Sequence, residues 1–213
     1  MTIEEYREIR NTGKNLSYKI LDWKKDARQE IIYAAKMLGF WNGQVMVFDS
    51  DDESDVLMDF LIYEKGKNGA KLIEMFFESD VELEDLEEEI LEGMIDYQSS
   101  LFEITSIDRD KHTLQLVDLF DKSHKQFELM DIGFSQTAKV GLIVYTRLIP
   151  IRNTNMTSGV SFGFDTSVKD KLLNELSFEK IKRKGNLNST DLFVIALKKS
   201  KRYGITVVKM ETT

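Results

Sequence analysis

The chain has no cysteine. That absence removes disulfides, thiolate nucleophiles, Cys-ligated zinc and protein-held iron–sulfur clusters. Histidine is nearly as scarce: His112 and His124 are the only two, too few for a multi-histidine metal centre or a His-rich active site. No apolar run approaches the roughly 18 residues that a spanning helix needs. The start, MTIEEYREIR, is acidic and polar where a secretory leader would be basic and then apolar. The expectation is a cytoplasmic protein with no cofactor, no metal site and no membrane partner. No glycine-rich phosphate loop, G-x-S-x-G elbow or H-E-x-x-H helix is present.

One proline, 42% hydrophobic and 31% charged residues make an ordinary globular composition. At 213 residues the chain suffices for one domain with a substantial core, or two small ones. The net charge of −8 is unevenly spread. Residues 1–100 carry 11 Lys/Arg against 24 Asp/Glu, a net of −13, residues 101–164 balance at 7 and 7, and residues 165–213 carry 11 against 6, a net of +5. The three segments present three different electrostatic surfaces.

The first half reads as helix after helix. Thr2 and Glu5 make a capping box for a short helix that Gly13 is expected to end. A second periodic stretch, with Leu16, Ile20, Trp23, Ala27, Ile31, Ala34 and Leu38 at helical spacing, predicts one helix over about 15–37, closed by Gly39. Trp41-Asn42-Gly43 turns into the apolar run QVMVF. Further helices are expected over about 51–64, 69–78 and onward from a Ser79-x-x-Glu82 capping box. The acidic face Glu84, Asp85, Glu87, Glu88 and Glu92 of the last of these reads as a solvated helix surface.

At Ser99 the period changes from helical to alternating. LFEITSID, HTLQLVDLF, KQFELMDIG, VGLIVYTRLIPIR and GVSFGF are five consecutive strands joined by short polar turns. Such a run predicts a small antiparallel barrel of SH3-like or OB-like type. Helix, loop, helix and a strand ITVVKME complete the chain, with Thr190 or Asp191 capping the last helix. The fold class expected is α+β. It has a helical region 1–98, a small β-barrel 99–164 and a basic α/β tail 165–213, packed as one unit because no flexible linker separates them.

FDSDDESDVL, residues 48–57, is the densest acidic cluster, and three readings compete for it. An EF-hand loop counted from Asp49 would need Gly at its sixth position and Glu at its twelfth, where Ser54 and Phe60 stand. VMVFDSD looks like the first motif of haloacid-dehalogenase-type phosphatases, with Asp49 as nucleophile and Asp51 as general acid in a magnesium-dependent reaction. The later acidic pair of that family is missing, and five consecutive strands contradict its alternating βαβ order. The third reading is local: Ser50 and Glu53 form a capping box, and Asp51, Asp52 and Asp55 sit at the positive end of a helix dipole. It accounts for every carboxylate.

Three other groups are candidate sites. Asp131, Ser135, Gln136 and Thr137 crowd a strand connection, where a small barrel exposes its recognition surface. Local side-chain-to-backbone bonds are the plainer explanation of the same residues. Arg147, inside the apolar strand LIVYTRLIPI, needs a partner if it faces inward, with Asp118 or Asp131 as candidates. Lys182, Arg183, Lys198 and Lys199 form a candidate basic surface that would suit nucleic acid. Tyr203 is the only obvious aromatic residue near it.

The stretch from Ser99 to Pro150 carries the pattern Ser100-Leu101-Phe102-Glu103-Ile104, Leu116-x-Asp118-Leu119-Phe120 and Arg147-Leu148-Ile149-Pro150. It resembles a β module of uncharacterised bacterial proteins, some of which bear a SEC-C-type zinc knuckle. The resemblance covers about a quarter of the chain and implies a small β-barrel with no established activity. The knuckle itself cannot form without cysteine.

The leading functional expectation is a non-catalytic interaction or regulatory protein that pairs with another protein or with itself. The +5 tail is expected to dock on the −13 half, of this chain or a second copy. Nucleic-acid binding by the basic tail is the alternative, and a magnesium-dependent phosphatase at Asp49 and Asp51 is the second alternative.

Overall fold

The computed structural model describes residues 1–25, 27–185 and 187–205. They form an α+β protein that divides into two compact units. One comprises Met1–Tyr97 with Pro150–Asn153, the other Gln98–Ile149 with Thr154–Thr213. The change of period read at Ser99 therefore falls within two residues of the first boundary. The C-terminal segment groups with the strands.

The first unit is built from five helices: α1 (Ile3–Trp23), α2 (Arg28–Leu38), α3 (Asp52–Tyr63), α4 (Leu72–Phe77) and α5 (Asp85–Ile95). The Thr2–Glu5 capping box forms as read from the sequence. Gly13, however, does not end the helix. It lies inside α1, whose break comes instead after Trp23, so the single helix expected over 15–37 is two. A glycine costs a helix interior only about 1 kcal/mol, and Leu16 and Ile20 are buried just beyond it. Gly39 does close α2, with φ +83.

Two other caps differ from expectation. The box that opens α5 is Glu84 with Glu87, five residues after Ser79. Glu87 gains from this position twice: it accepts from the Glu84 N–H and pairs with Lys19 of α1 at 2.8 Å. Before α3, Glu53 reaches past Ser50 to the Asp49 N–H at 2.7 Å, while the N-cap residue Asp51 makes no side-chain cap.

The second unit holds β1 (Gln98–Asp108), β2 (Thr113–Asp118), β3 (Gln126–Met130), α6 (Ile132–Thr137), β4 (Ile143–Ile151, its last two residues counted with the first unit), β5 (Thr154–Phe164), α7 (Lys169–Lys182) and α8 (Ser189–Tyr203). All five expected strands are present, in a sheet of order β1-β2-β3-β5-β4 that returns to β1 through β4. The sheet is mixed, which corrects the antiparallel expectation: β3 and β5 pair in parallel at Leu129 and Asn155. The reason is geometric. Directions can alternate all the way round a ring only when the strand number is even, so a ring of five must contain a parallel pair.

Alternation sets what the ring encloses. Phe102, Ile104, Leu114, Leu116, Phe127, Leu129, Val144 and Leu148 share one core, to which α6 adds Phe134. β4 is buried on both faces over most of its length. Its outward Tyr145 stacks on Phe162 at 5.8 Å and meets Phe193 of α8 edge-on at 5.8 Å. The N-cap of α8 is Asn188, boxed with Asp191, rather than Thr190 or Asp191 itself. Of the strand expected over ITVVKME only Ile205 is described, bridged to Gly163; the rest lies outside the described residues.

Candidate functional site

The polar residues of 131–137 are brought together by bonds within α6 and to the β1–β2 turn. Asp131 caps α6, its carboxylate accepting from the Phe134 N–H at 2.8 Å. Ser135 is fully buried and donates to the Ile132 carbonyl at 2.9 Å. Gln136 donates to the Arg109 carbonyl at 3.2 Å, and Thr137 to the Gly133 carbonyl at 3.3 Å. His112 lies in the β1–β2 turn at φ +56, not in the strand that its alternation suggested. Its Nδ1 stands 3.5 Å from Ser135 Oγ and 3.3 Å from the Gln136 amide. A serine with no exposed surface offers its hydroxyl to no substrate, so this cluster fastens α6 to the β1–β2 turn.

Arg147 is buried in β4, opposite Ser99. The Asp118 carboxylate takes Ser100 Oγ at 2.7 Å, the Gln98 amide at 3.1 Å and the Phe120 N–H at 2.8 Å.

The basic residues of α7 and α8 are largely matched within their own unit. Lys182 pairs with Glu179 at 3.4 Å and lies over the Phe178 ring. Arg183 pairs with Asp191 at 2.6 Å. Lys199 bonds Glu175, which also accepts from the Tyr203 hydroxyl at 2.5 Å. The bond from Lys199, followed by that from Tyr203, holds the Glu175 carboxyl below the usual carboxylate range. Burial first, and then this carboxylate, push the Tyr203 phenol up. Lys198 is exposed.

Asp49 and Asp51 stand in an exposed turn behind a segment that is not a strand of the sheet. Among the described residues no three His, Asp or Glu side chains converge as a metal-binding group.

What the sequence did not single out is a cavity of about 390 Å³ in the helical unit. Its walls come from four helices: Leu21 of α1, Ile31 and Ala34 of α2, Leu57, Met58 and Leu61 of α3, and Leu72 and Met75 of α4. The apolar run VMVF forms one side. Trp41 bridges Met46, the Asn42 side chain accepts from the Gln44 and Val45 N–H groups at 3.0 Å, and Val47 N–H returns to the Phe40 carbonyl at 2.8 Å. The result is a small hairpin that alternates like a strand. Met46 and Phe48 line the cavity while remaining 40% and 39% exposed, and Val45 and Val47 are 56% and 49% exposed. Phe48 is anchored edge-on to the buried Phe40 at 5.5 Å.

The far rim is pinned by Glu30, which accepts from the Lys67 N–H at 2.8 Å. Gly66 passes so close that a Cβ there would lie 2.6 Å from Glu30 Oε2. Helical periodicity marks most wall residues as core, and it cannot separate a packed core from one with a hole in it. The one available signal was QVMVF, an apolar run with neither the length of a helix nor a strand partner in sequence.

Among the described residues no helix is long and apolar enough to cross a membrane. No curated protein and no solved structure matches the chain. A family model described as "Family of unknown function (DUF7986)" matches residues 1–210, and the chain belongs to that family.

Proposed function

We propose that this is a non-catalytic regulatory protein of the cytoplasm whose helical unit binds a small apolar molecule. The observation that carries the reading is the 390 Å³ cavity with its hairpin wall. Its size falls in the range of small-molecule sites, and its lining is apolar with a few polar groups at the edge, as such sites require. Met46, Met58 and Met75 suit an adaptable wall, because the unbranched thioether fills irregular space. The partner protein or second copy expected from the sequence then finds a surface in Val45 and Val47, whose exposure depends on how the hairpin sits over the cavity.

The sheet unit is proposed to be the scaffold: a small barrel of OB-like type, in keeping with the resemblance of residues 99–150. The strand order, with a helix between β3 and β4, supports this. Barrels of that type receive single strands on the β2–β3 face. Here that face carries Gln115 bonded to Glu128 at 3.1 Å, which is poorly suited to phosphates. Nucleic acid thus remains the less favoured reading.

A neutral naphthylamine fluorophore that brightens in apolar surroundings tests the cavity. Saturable binding is expected, with loss in Leu61→Trp, which fills the cavity, at an unchanged unfolding midpoint. Absence of saturable binding, or indifference to Leu61→Trp, overturns the reading.

A further inference from the structure

We infer that the molecule held in the cavity is a cationic amphiphile, with an apolar body and an amine head. This rests on the cavity reading above and adds the chemical class of ligand. The volume favours a small molecule over a peptide helix, whose diameter with side chains is about 10–12 Å.

The interior walls are aliphatic, aromatic and thioether groups, so the body of the occupant must be apolar. The charged groups among the lining residues are Asp22, Glu30 and Glu64 against the single Lys24. Asp22 is exposed at the end of α1. Glu30 is held in place by the Lys67 N–H, so its charge stays at the rim without ordering cost on binding. Glu64 is buried and engaged within the fold, so Asp22 and Glu30 are the carboxylates open to a head group. A carboxylate head would meet the two like charges of Asp22 and Glu30 and the one opposite charge of Lys24; an amine meets the reverse.

The wider field agrees. Residues 1–97 and 150–153 carry 12 Lys/Arg against 24 Asp/Glu, so a cation is drawn toward this unit before it reaches the cavity.

The test displaces the neutral fluorophore from the full chain with three probes of one length: decylamine, decanol and decanoate. The amine is expected to displace at about fivefold lower concentration than the alcohol, the advantage of one partly exposed charge pair. Decanoate should be the weakest of the three. Asp22→Asn and Glu30→Gln should each shrink the amine advantage. Asp22 is exposed, so its substitution threatens no packing and keeps the test informative even if Glu30→Gln loosens the rim.

Equal displacement by all three probes overturns the charge assignment and leaves the cavity reading standing. An amine advantage that survives both substitutions also overturns it. Displacement by none of the three, with Leu61→Trp indistinguishable from the wild type, overturns both.

Discussion

Glu175 shows how much a single side chain can be asked to do in this molecule. It joins Lys199 and Tyr203 of α8 to its own helix, α7, so one carboxylate ties the two C-terminal helices together. Its pKa in the folded state lies below that of an ordinary glutamate, about 4.3. Stability that depends on a depressed carboxylate is present above the unfolded value and is lost as pH falls through the folded one. Glu175→Gln should therefore lower the urea midpoint at pH 7, and the gap to the wild type should narrow as pH drops below about 4. A gap that stays constant from pH 7 to pH 3 contradicts this role. Charge alone, read from the sequence, assigned Lys199 to an exposed basic surface. Linear spacing could not show that Glu175, 24 residues away, would neutralise it.

At the scale of elements, the informative cases are those where a local rule met a tertiary one. Gly13 should be a stop, but α1 runs through it because burial of Tyr6, Ile9, Leu16 and Ile20 on one face outweighs the cost of one glycine. A Cβ at this position would meet only Ile90 Cγ2, at an ordinary 3.6 Å. Gly13→Ala should then raise stability by about 0.5–1 kcal/mol, measured by denaturant unfolding, since helix propensity improves at no steric cost. Destabilisation would show that the glycine is needed for packing.

The same contrast explains what was legible. Thr2, Gly39 and the presence of all five strands follow from caps and periods that act within a few residues, although Glu53 bonds Asp49 and not Ser50, and β5 begins at Thr154, ahead of GVSFGF. The capping box of α5 was misplaced because Ser79-x-x-Glu82 satisfies the local pattern as well as Glu84-x-x-Glu87 does. Only packing chooses between them, with Glu87 also bound to Lys19. Of the candidate site, the polar residues near α6 could be named but not ranked. The cavity left no trace in the pattern, because a missing volume is a property of several helices at once.

For the whole molecule, the parallel pairing of β3 with β5 has a consequence for the time course of folding. β3 ends at Met130, while its neighbour β5 begins at Thr154, and β1 finds its second partner only in Ile143–Ile151. Nothing near in sequence can complete these pairings, so the strand unit has a high contact order and must close long loops before it gains the contacts that reward closure. The helical unit also joins distant elements, α1 to α5 through Lys19 and Glu87, but each helix forms from adjacent residues and only Pro150–Asn153 comes from the second half of the chain. Refolding should thus separate in time: in pulsed hydrogen exchange, amides of α1–α5 are expected to gain protection first, with β4 and β5 protected last and together. Simultaneous protection of helices and strands would show that the two units fold as one. During synthesis the same ordering leaves β1, β2 and β3 exposed with unpaired edges until residue 164 has emerged, which makes this interval the one in which the chain is most open to misassociation.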